Sequence, residues 1–290
     1  MAPSFYESVT DFLDEVNHYA SPISIIKGGV AALFGASTIA PHAIPGFEVK
    51  LSLSNTSLIG GVPCKGLRNA FHLEREWDER SYEYYDTDGK DLSAEGWAVR
   101  LRHKEDEDFE MTYKKRWRVT DGIHNALEQA RAEGFDYGDK NYKAEIDWSY
   151  SKQTLSMQIK KRRSKKGYRH TDMPDDATGR AWLQEGIPGK LEHWKEHNWG
   201  NDILAQTRKH GPVTSTVWDG RWKGREIGIE ILPVRGEDDH HQDIFAELSF
   251  KVKDMATAKK LREQMIEKLD KEGWLVHNDH LKTRVILDRY

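Results

Sequence analysis

Residues 81–117 read SYEYYDTDGKDLSAEGWAVRLRHKEDEDFEMTYKKRW, and two segments of this stretch alternate between apolar and polar side chains. In WAVRLRH, Arg100 and Arg102 alternate with apolar residues, and in FEMTYKK, Glu110 and Lys114 do the same. A period of two residues places successive side chains on opposite faces of a β-strand. The stretch therefore predicts two strands, each with one apolar and one charged face.

The same alternation recurs on both sides of this stretch. It is found in FEVKLSL (47–53), AEIDWSY (144–150), TLSMQIKKRR (154–163), REIGIEIL (225–232) and IFAELSFKV (244–252). Helical periodicity separates these segments, most clearly in residues 254–273, where Asp254 is suited to begin a helix and Gly273 to end it. Because strands and helices mix without a regular βαβ rhythm, the pattern favours an α+β fold with an antiparallel sheet.

The polar faces of the predicted strands carry cations and acids in equal number. The cations are Lys50, Arg100, Arg102, Lys114, Lys160, Arg162 and Lys251, and the acids are Glu48, Glu110, Glu145, Asp147, Glu226, Glu230 and Glu247. These faces are either the solvated side of an open sheet or the inside of a closed barrel. In a barrel, the cations would hold phosphate oxygens and clustered carboxylates would hold Mg²⁺ or Mn²⁺.

The order of motifs in residues 81–117 resembles the CYTH, or triphosphate tunnel metalloenzyme, superfamily. The matching parts are a Tyr-Tyr-Asp-Thr strand, a loop with Leu92 and Gly96, an Arg-x-Arg strand and a strand ending in lysine. The resemblance implies an α+β fold in which a closed antiparallel β-barrel forms a tunnel with a polar lumen and helices packed outside. It implies a tunnel-barrel domain over residues 47–290, with a helical insert near 177–209. Residues 1–46 do not match the superfamily, and the helical spacing of apolar residues in 5–20 predicts that they form an N-terminal helical extension.

The resemblance also implies roles for particular side chains. The residues implied to bind the anionic substrate are Arg100, Arg102, Lys114, Lys160 and Arg162, and Lys251 is a further candidate because it lies on the polar face of the last predicted strand. The residues implied to ligate a metal are Glu48 and Glu247, and Glu145 is a further candidate ligand because hard cations need only oxygen ligands at suitable geometry. Because a buried glutamate beside a lysine can have a perturbed pKa, we expect Glu48, Lys50, Glu230 and Glu247 to take part in catalysis. Mg²⁺ or Mn²⁺ is the implied cofactor.

The first strand departs from the pattern of the superfamily. Where the superfamily has Glu-x-Glu-x-Lys, this chain has Glu48, Lys50 and Ser52, so that a cation replaces one carboxylate. In the last strand, Glu247 is likewise followed by Ser249. The remaining acids of the polar faces either rebuild one metal site or form internal ion pairs with neighbouring lysines and arginines.

Three hypotheses for the function follow. The first is a divalent-metal-assisted phosphohydrolase that acts on a phosphorylated or diphosphorylated organic molecule. The second is a repurposed barrel that catalyses metal-independent acid-base isomerisation, cyclisation or lyase chemistry on a small metabolite. The third is a noncatalytic module that binds an anion. Three tryptophans of the insert, Trp182, Trp194 and Trp199, are candidates for an apolar wall at the tunnel mouth, which would suit an organic substrate.

Composition bounds the partners of the chain. Its 44 basic and 48 acidic residues give a formal charge of −4, which argues against a nucleic-acid-coating protein. The apolar stretch 23–46 is interrupted by Lys27, glycines and prolines, so it predicts a segment that packs on the domain, or else an interfacial anchor, and not a membrane span. The single cysteine, Cys64, fits a reducing compartment, and we expect a cytoplasmic protein.

Overall fold

The computed structural model describes residues 45–136, 139, 141–236, 238 and 241–290. In this part of the chain the strands are β1 (Gly46–Ser52), β2 (Leu58–Ile59), β3 (Val62–Pro63), β4 (Asp78–Asp86), β5 (Trp97–Lys104), β6 (Phe109–Val119), β7 (Lys143–Trp148), β8 (Gln153–Arg163), β9 (Arg208–Trp222), β10 (Arg225–Arg235) and β11 (Gln242–Val252). The α-helices are α1 (Lys65–Phe71), α2 (Asp91–Ala94), α3 (Ile123–Ala132), α4 (Asp176–Glu185), α5 (Gly189–Glu192), α6 (Trp199–Gln206), α7 (Met255–Lys271) and α8 (Lys282–Arg289).

Nine strands close into a barrel in the order β1-β11-β10-β9-β4-β5-β6-β8-β7, while β2 and β3 form a separate hairpin. The prediction of a closed barrel in an α+β fold is confirmed. The prediction that all its strands are antiparallel is wrong in one place, because β1 and β7 pair in parallel. A ring with an odd number of strands cannot alternate in direction throughout, so at least one neighbouring pair must be parallel.

The main apolar core lies between the outside of the barrel and the helices. Outward-facing side chains such as Val49 and Leu101 are completely buried there, and α7 packs Met265 against the same layer. Helix α7 begins as the sequence predicted, because the Asp254 carboxylate accepts a hydrogen bond from the backbone N–H of Thr257 at 2.8 Å. Burying these faces against helices leaves the charged faces of the strands to point inward.

Helix α8 contributes a second apolar cluster, which lies inside one end of the barrel. Its Ile286 and Leu287 pack with Leu232, Val234 and Phe245, which occupy inward-facing positions on β10 and β11. Buried charged side chains need partners, so a lumen that was charged along its whole length would leave some of these side chains unpaired. The apolar cluster therefore fills one end of the barrel and confines the polar space to the remainder.

Helices α4, α5 and α6 occupy the region in which the sequence predicted an insert. Their tryptophans do not form the apolar wall that the sequence suggested, because Trp182, Trp194 and Trp199 pack in the outer core and do not line the lumen. The predicted N-terminal extension, residues 1–46, lies outside the described residues except for its last two. Among the helices described, none is long and apolar enough to cross a membrane.

A charged cavity inside the barrel as the candidate active site

The inward faces of the barrel strands enclose a cavity of about 340 Å³. Nine of the side chains that line it are cations, namely Lys50, Arg80, Arg100, Arg102, Lys114, Arg116, Lys160, Lys251 and Lys282. Five are carboxylates, namely Glu48, Glu145, Asp147, Glu230 and Glu247. The wall therefore carries an excess of positive charge, which raises the local concentration of anions.

Three of the predicted anion-binding residues converge on one carboxylate, that of Glu110. Its oxygens accept hydrogen bonds from the guanidinium groups of Arg100 at 3.1 Å and Arg102 at 2.9 Å, and from the Lys160 ammonium at 3.0 Å. Burial by itself would raise the pKa of Glu110, but Arg102, Arg100 and Lys160 lower it to about 2. Three cations and one permanent carboxylate leave two positive charges, which an anion such as phosphate can neutralise.

Three arginine donors near the cavity have no hydrogen-bond acceptor in the part of the chain that the structure describes. The Nε atoms of Arg80, Arg100 and Arg102 are buried, and none has a hydrogen-bond partner among the described residues. Buried donors are normally satisfied by protein, ordered water or ligand. Arg80, Arg100 and Arg102 themselves line the positively charged wall.

A second charged cluster spans the parallel pairing of β1 and β7, where Glu48 lies opposite Asp147. The Lys50 ammonium lies between the two carboxylates, 2.9 Å from Glu48 Oε2 and 2.8 Å from Asp147 Oδ1. The Lys114 ammonium donates to the other oxygen of Asp147 at 2.7 Å. Burial would raise the pKa of Asp147, but Lys50 and Lys114 hold it well below its ordinary value.

Lysines also neutralise Glu145, which belongs to the same cluster. Its Oε1 accepts hydrogen bonds from Lys251 at 2.7 Å and from Lys143 at 2.8 Å, and its Oε2 accepts one from the Gln158 amide at 2.8 Å. Lys251 also lies 3.6 Å from Glu48. Each carboxylate of the cluster is therefore held by at least one ammonium of the chain.

A third group of charges joins the barrel to helix α8. The Lys282 ammonium lies 2.6 Å from the Glu230 carboxylate and 4.4 Å from the centre of the Tyr82 ring. The Ser215 hydroxyl donates to the other oxygen of Glu230 at 2.8 Å. Burial would raise the pKa of Glu230, but Lys282 and Ser215 help to lower it to about 2.

Glu247 differs from the other carboxylates that line the cavity. In the residues that the structure describes, no cation lies within ion-pair distance of it, and its neighbour across β10 and β11 is Glu230. Burial raises the pKa of Glu247 to about 7, because the positive charges of Lys50 and Lys282, which lower the pKa and are themselves opposed by Glu230 and Glu48, do not offset the loss of solvent. A carboxyl group with this pKa can both accept and donate a proton near neutrality.

Two further side chains of the wall have pKa values near neutrality. Burial would raise the pKa of the Tyr84 phenol, but Arg100 and Lys282 lower it to about 8. Burial also lowers the pKa of Lys114 to about 8, and the attraction of Asp147 only partly opposes this. Groups with perturbed pKa values in a cavity are typical of functional sites.

The structure brings ten of the eleven predicted site residues to the cavity. They are Glu48, Lys50, Arg100, Arg102, Lys114, Glu145, Lys160, Glu230, Glu247 and Lys251. Arg162 is the exception, because it is exposed near the end of β8 and does not line the cavity. The alternation places Arg162 on the inward face of β8, but at this residue the strand extends beyond the rim of the cavity.

Sequence reasoning missed six charged, titratable or aromatic residues of the wall, namely Arg80, Tyr82, Tyr84, Arg116, His280 and Lys282. The signal for the two tyrosines was present, because they alternate with outward-facing residues in SYEYYD. Arg116 likewise follows Lys114 at the strand period. Lys282 had no comparable signal, because it lies on a helix outside the strand pattern.

The implied Mg²⁺ or Mn²⁺ site can be tested against the side chains present. No group of three or more histidine, cysteine, aspartate or glutamate side chains is placed to share a metal ion in the described part of the chain. Of the three implied ligands, Glu48 and Glu145 are already held by lysines. Hard divalent cations need several oxygen ligands around one point, so these residues do not fit such an ion in the arrangement observed.

No family model matches the chain, and no curated protein matches it. Among solved structures, a candidate adenylyl cyclase from Hippeastrum with a dominant triphosphatase activity is 11% identical, with a TM-score of 0.45 over 84% of this chain and 99% of its own. A candidate adenylate cyclase from Bacillus halodurans is 13% identical, with a TM-score of 0.47 over 83% and 96%. A protein from Pyrococcus horikoshii is 16% identical, with a TM-score of 0.41 over 80% and 94%. All three TM-scores lie below 0.5.

Proposed function

We propose that the chain is an enzyme that binds a phosphorylated or diphosphorylated small molecule in the barrel cavity and hydrolyses it. The observation that carries this proposal is the excess of cations on the cavity wall, where nine cations face five carboxylates. Guanidinium and ammonium groups are the side chains that bind phosphate oxygens most strongly. Arg100, Arg102 and Lys160 share the single carboxylate of Glu110, which leaves positive charge for a ligand of the same class.

Two parts of the wall divide the work of hydrolysis. The phosphoryl oxygens bind to Arg100, Arg102 and Lys160, and these cations stabilise the negative charge on the oxygens in the transition state. A water oxygen forms a bond to phosphorus while the bond from phosphorus to the bridging oxygen breaks. Glu247 accepts the proton that the water loses and returns it to the leaving oxygen, so that the products are the dephosphorylated molecule and inorganic phosphate.

The position of Glu247 also favours a second candidate function. Because no ammonium lies against its carboxylate in the described structure, Glu247 is free to move a proton on the organic part of a bound ligand. In this case the cations only anchor the phosphate, and the reaction is an isomerisation, cyclisation or lyase reaction. The two candidates differ in whether inorganic phosphate is released.

The first experiment is to measure inorganic phosphate release from organic monophosphates, organic diphosphates, nucleoside triphosphates and polyphosphate. Each assay is run with Mg²⁺, with Mn²⁺ and with a chelator. Release from at least one compound, lost in the Glu247→Gln variant, supports a phosphohydrolase. If these compounds bind but no inorganic phosphate is released, the result favours the second candidate function. Product analysis by mass spectrometry then tests that function.

A double variant tests the anion-binding role directly. Replacing Arg100 and Arg102 by alanine is expected to weaken pyrophosphate binding about a hundredfold, which corresponds to about 1.4 kcal/mol for each arginine. The matched control removes two exposed arginines, Arg118 and Arg131, and should leave binding unchanged. Equal pyrophosphate affinity in the wild type and in the Arg100→Ala, Arg102→Ala variant would refute the assignment.

A further inference from the structure

The ammonium of Lys50 occupies the centre of the acidic side of the cavity. It lies 2.9 Å from Glu48 Oε2 and 2.8 Å from Asp147 Oδ1, and these two residues are paired across the parallel strands β1 and β7. The Lys50 side chain is 26% exposed and that of Asp147 only 12%. Lys50 is therefore built into the wall between two carboxylates of neighbouring strands.

A divalent cation and Lys50 cannot use these oxygens together. A Mg²⁺ ion bound to both carboxylates would lie about 2.1 Å from each coordinating oxygen. The Lys50 nitrogen already lies within hydrogen-bond distance of both oxygens, so the ion would occupy the same space as the ammonium. Repulsion between an ammonium and a divalent cation at such a separation is strong in a partly buried site.

The rest of the cluster offers no substitute pair of free carboxylates. Lys251 holds Glu145 at 2.7 Å and also lies 3.6 Å from Glu48. The remaining oxygen of Asp147 accepts a hydrogen bond from Lys114. The negative charges of Glu48, Asp147 and Glu145 are therefore already neutralised by lysines of the chain.

We propose that Lys50 takes the place of a divalent cation on the acidic side of the cavity, so that the site binds phosphate compounds without metal. Its ammonium bridges Glu48 and Asp147 as a bound ion would, and its positive charge faces the cavity. This inference rests on the proposed function for the ligand class. It extends that function by assigning to a side chain the charge that a metal cofactor would supply.

The test measures metal binding and anion binding separately. Mn²⁺ binding without any phosphate compound is followed by the electron paramagnetic resonance signal of free Mn²⁺, in the wild type and in Lys50→Gln. Lys143→Gln is the matched control, because Lys143 also pairs with a carboxylate of the cluster but is 62% exposed. Pyrophosphate binding to the wild type is measured by calorimetry with chelator and with Mg²⁺.

We expect Mn²⁺ binding by the wild type and by Lys143→Gln to stay below the detection limit of the measurement, and Lys50→Gln to bind Mn²⁺ at least about tenfold more tightly than that limit, the factor that 1.4 kcal/mol corresponds to. We also expect equal pyrophosphate affinity with chelator and with Mg²⁺. Tight Mn²⁺ binding by the wild type overturns the inference, and so does its absence from a folded Lys50→Gln. If Lys50→Gln does not fold, the wild-type measurements decide.

The failure of this inference differs from the failure of the proposed function. If the wild type binds pyrophosphate only with Mg²⁺, the ligand class stands and the role of Lys50 is wrong. If the wild type binds no phosphate compound under any condition, the proposed function is wrong, and the Mn²⁺ measurements still decide whether Lys50 excludes metal.

Discussion

Lys282 is expected to stabilise the fold through its ion pair with Glu230, which joins helix α8 to the barrel. Replacing Lys282 by methionine keeps most of the apolar stem and removes the charge, which leaves the Glu230 carboxylate enclosed without its cation. We expect the free energy of unfolding to fall by about 3 kcal/mol, the size observed when one partner of a buried ion pair is removed.

The structure supports this magnitude. The two side chains are only 16% and 14% exposed. Burial would raise the pKa of Glu230, but Lys282, Ser215 and Tyr82 lower it from 4.5 to about 2, which corresponds to about 3 kcal/mol in favour of the ionised form. Because Ser215 and Tyr82 contribute part of this, we expect a direct coupling of about 2 kcal/mol between Lys282 and Glu230.

The pH dependence has a definite sign. Because the pKa of Glu230 is lower in the folded protein than in the unfolded chain, its contribution to stability is complete above pH 4.5 and is lost as the pH falls from 4.5 to about 2. The pKa of Lys282 is raised above its ordinary 10.5, so its contribution is complete at neutral pH. The coupling is therefore best measured near neutrality.

The assay is a double-mutant cycle by urea unfolding, with Lys282→Met, Glu230→Gln and the combined variant. A second cycle on Lys104 and Glu107 provides the control, because this ion pair is more exposed and should couple by less than about 1 kcal/mol. A coupling between Lys282 and Glu230 that is no larger than in the control pair would refute the reasoning.

Three further predictions concern single side chains. Because Glu247 has a pKa of about 7 in the folded protein, its ionisation destabilises the fold progressively as the pH rises from 4.5 to about 7. Urea unfolding should therefore show that Glu247→Gln becomes more stable than the wild type over this pH range, by up to about 3 kcal/mol. Tyr84 should ionise near pH 8 in an ultraviolet titration, and Tyr84→Phe should remove this step. Gly179→Ala should lower the free energy of unfolding by about 1–3 kcal/mol, although alanine favours a helix more than glycine does. The reason is that the added Cβ would come within 2.9 Å of Tyr85 Cζ and still nearer to the Tyr85 hydroxyl oxygen.

Each of these predictions can fail in a specific way. A constant difference in stability between the wild type and Glu247→Gln across that pH range contradicts the raised pKa. An unchanged ultraviolet titration in Tyr84→Phe assigns the early step to another tyrosine. Gly189→Ala is the control for Gly179→Ala, because a Cβ at Gly189 meets nothing within 4 Å, and an equal loss of stability in both variants rules out the contact with Tyr85.

The sequence predicted the inward faces of the strands because alternation is a local property. Once the apolar set of β5 packs outward, Arg100 and Arg102 must point into the lumen, and the same parity places Lys50 and Glu247 there. The resemblance in residues 81–117 added closure of the sheet, which alternation alone left open between a barrel and a solvated sheet. The barrel and most of its charged wall were therefore predictable from the chain.

The sequence did not predict where along each strand the cavity wall ends. Arg162 has the same parity as Lys160, yet it lies beyond the cavity rim and is exposed. Parity decides which face a side chain occupies, but where the wall ends depends on the register between neighbouring strands and on the elements that fill the lumen. The apolar cluster of α8 inside the barrel is such an element.

The sequence by itself determined the two-faced strands, the α7 helix with its Asp254 cap, and the collection of cations and acids that share one face. Only the tertiary structure decided which charges meet. Glu110 gathers Arg100, Arg102 and Lys160, and Lys50 bridges carboxylates that belong to β1 and β7. The contacts of Arg100 and Arg102 with Glu110 lie within one hairpin, but those of Lys160 with Glu110 and of Lys50 with Asp147 join residues 50 and 97 positions apart. The long-range contacts depend on barrel closure and on strand register, which are set by the packing of the whole domain and by no local pattern.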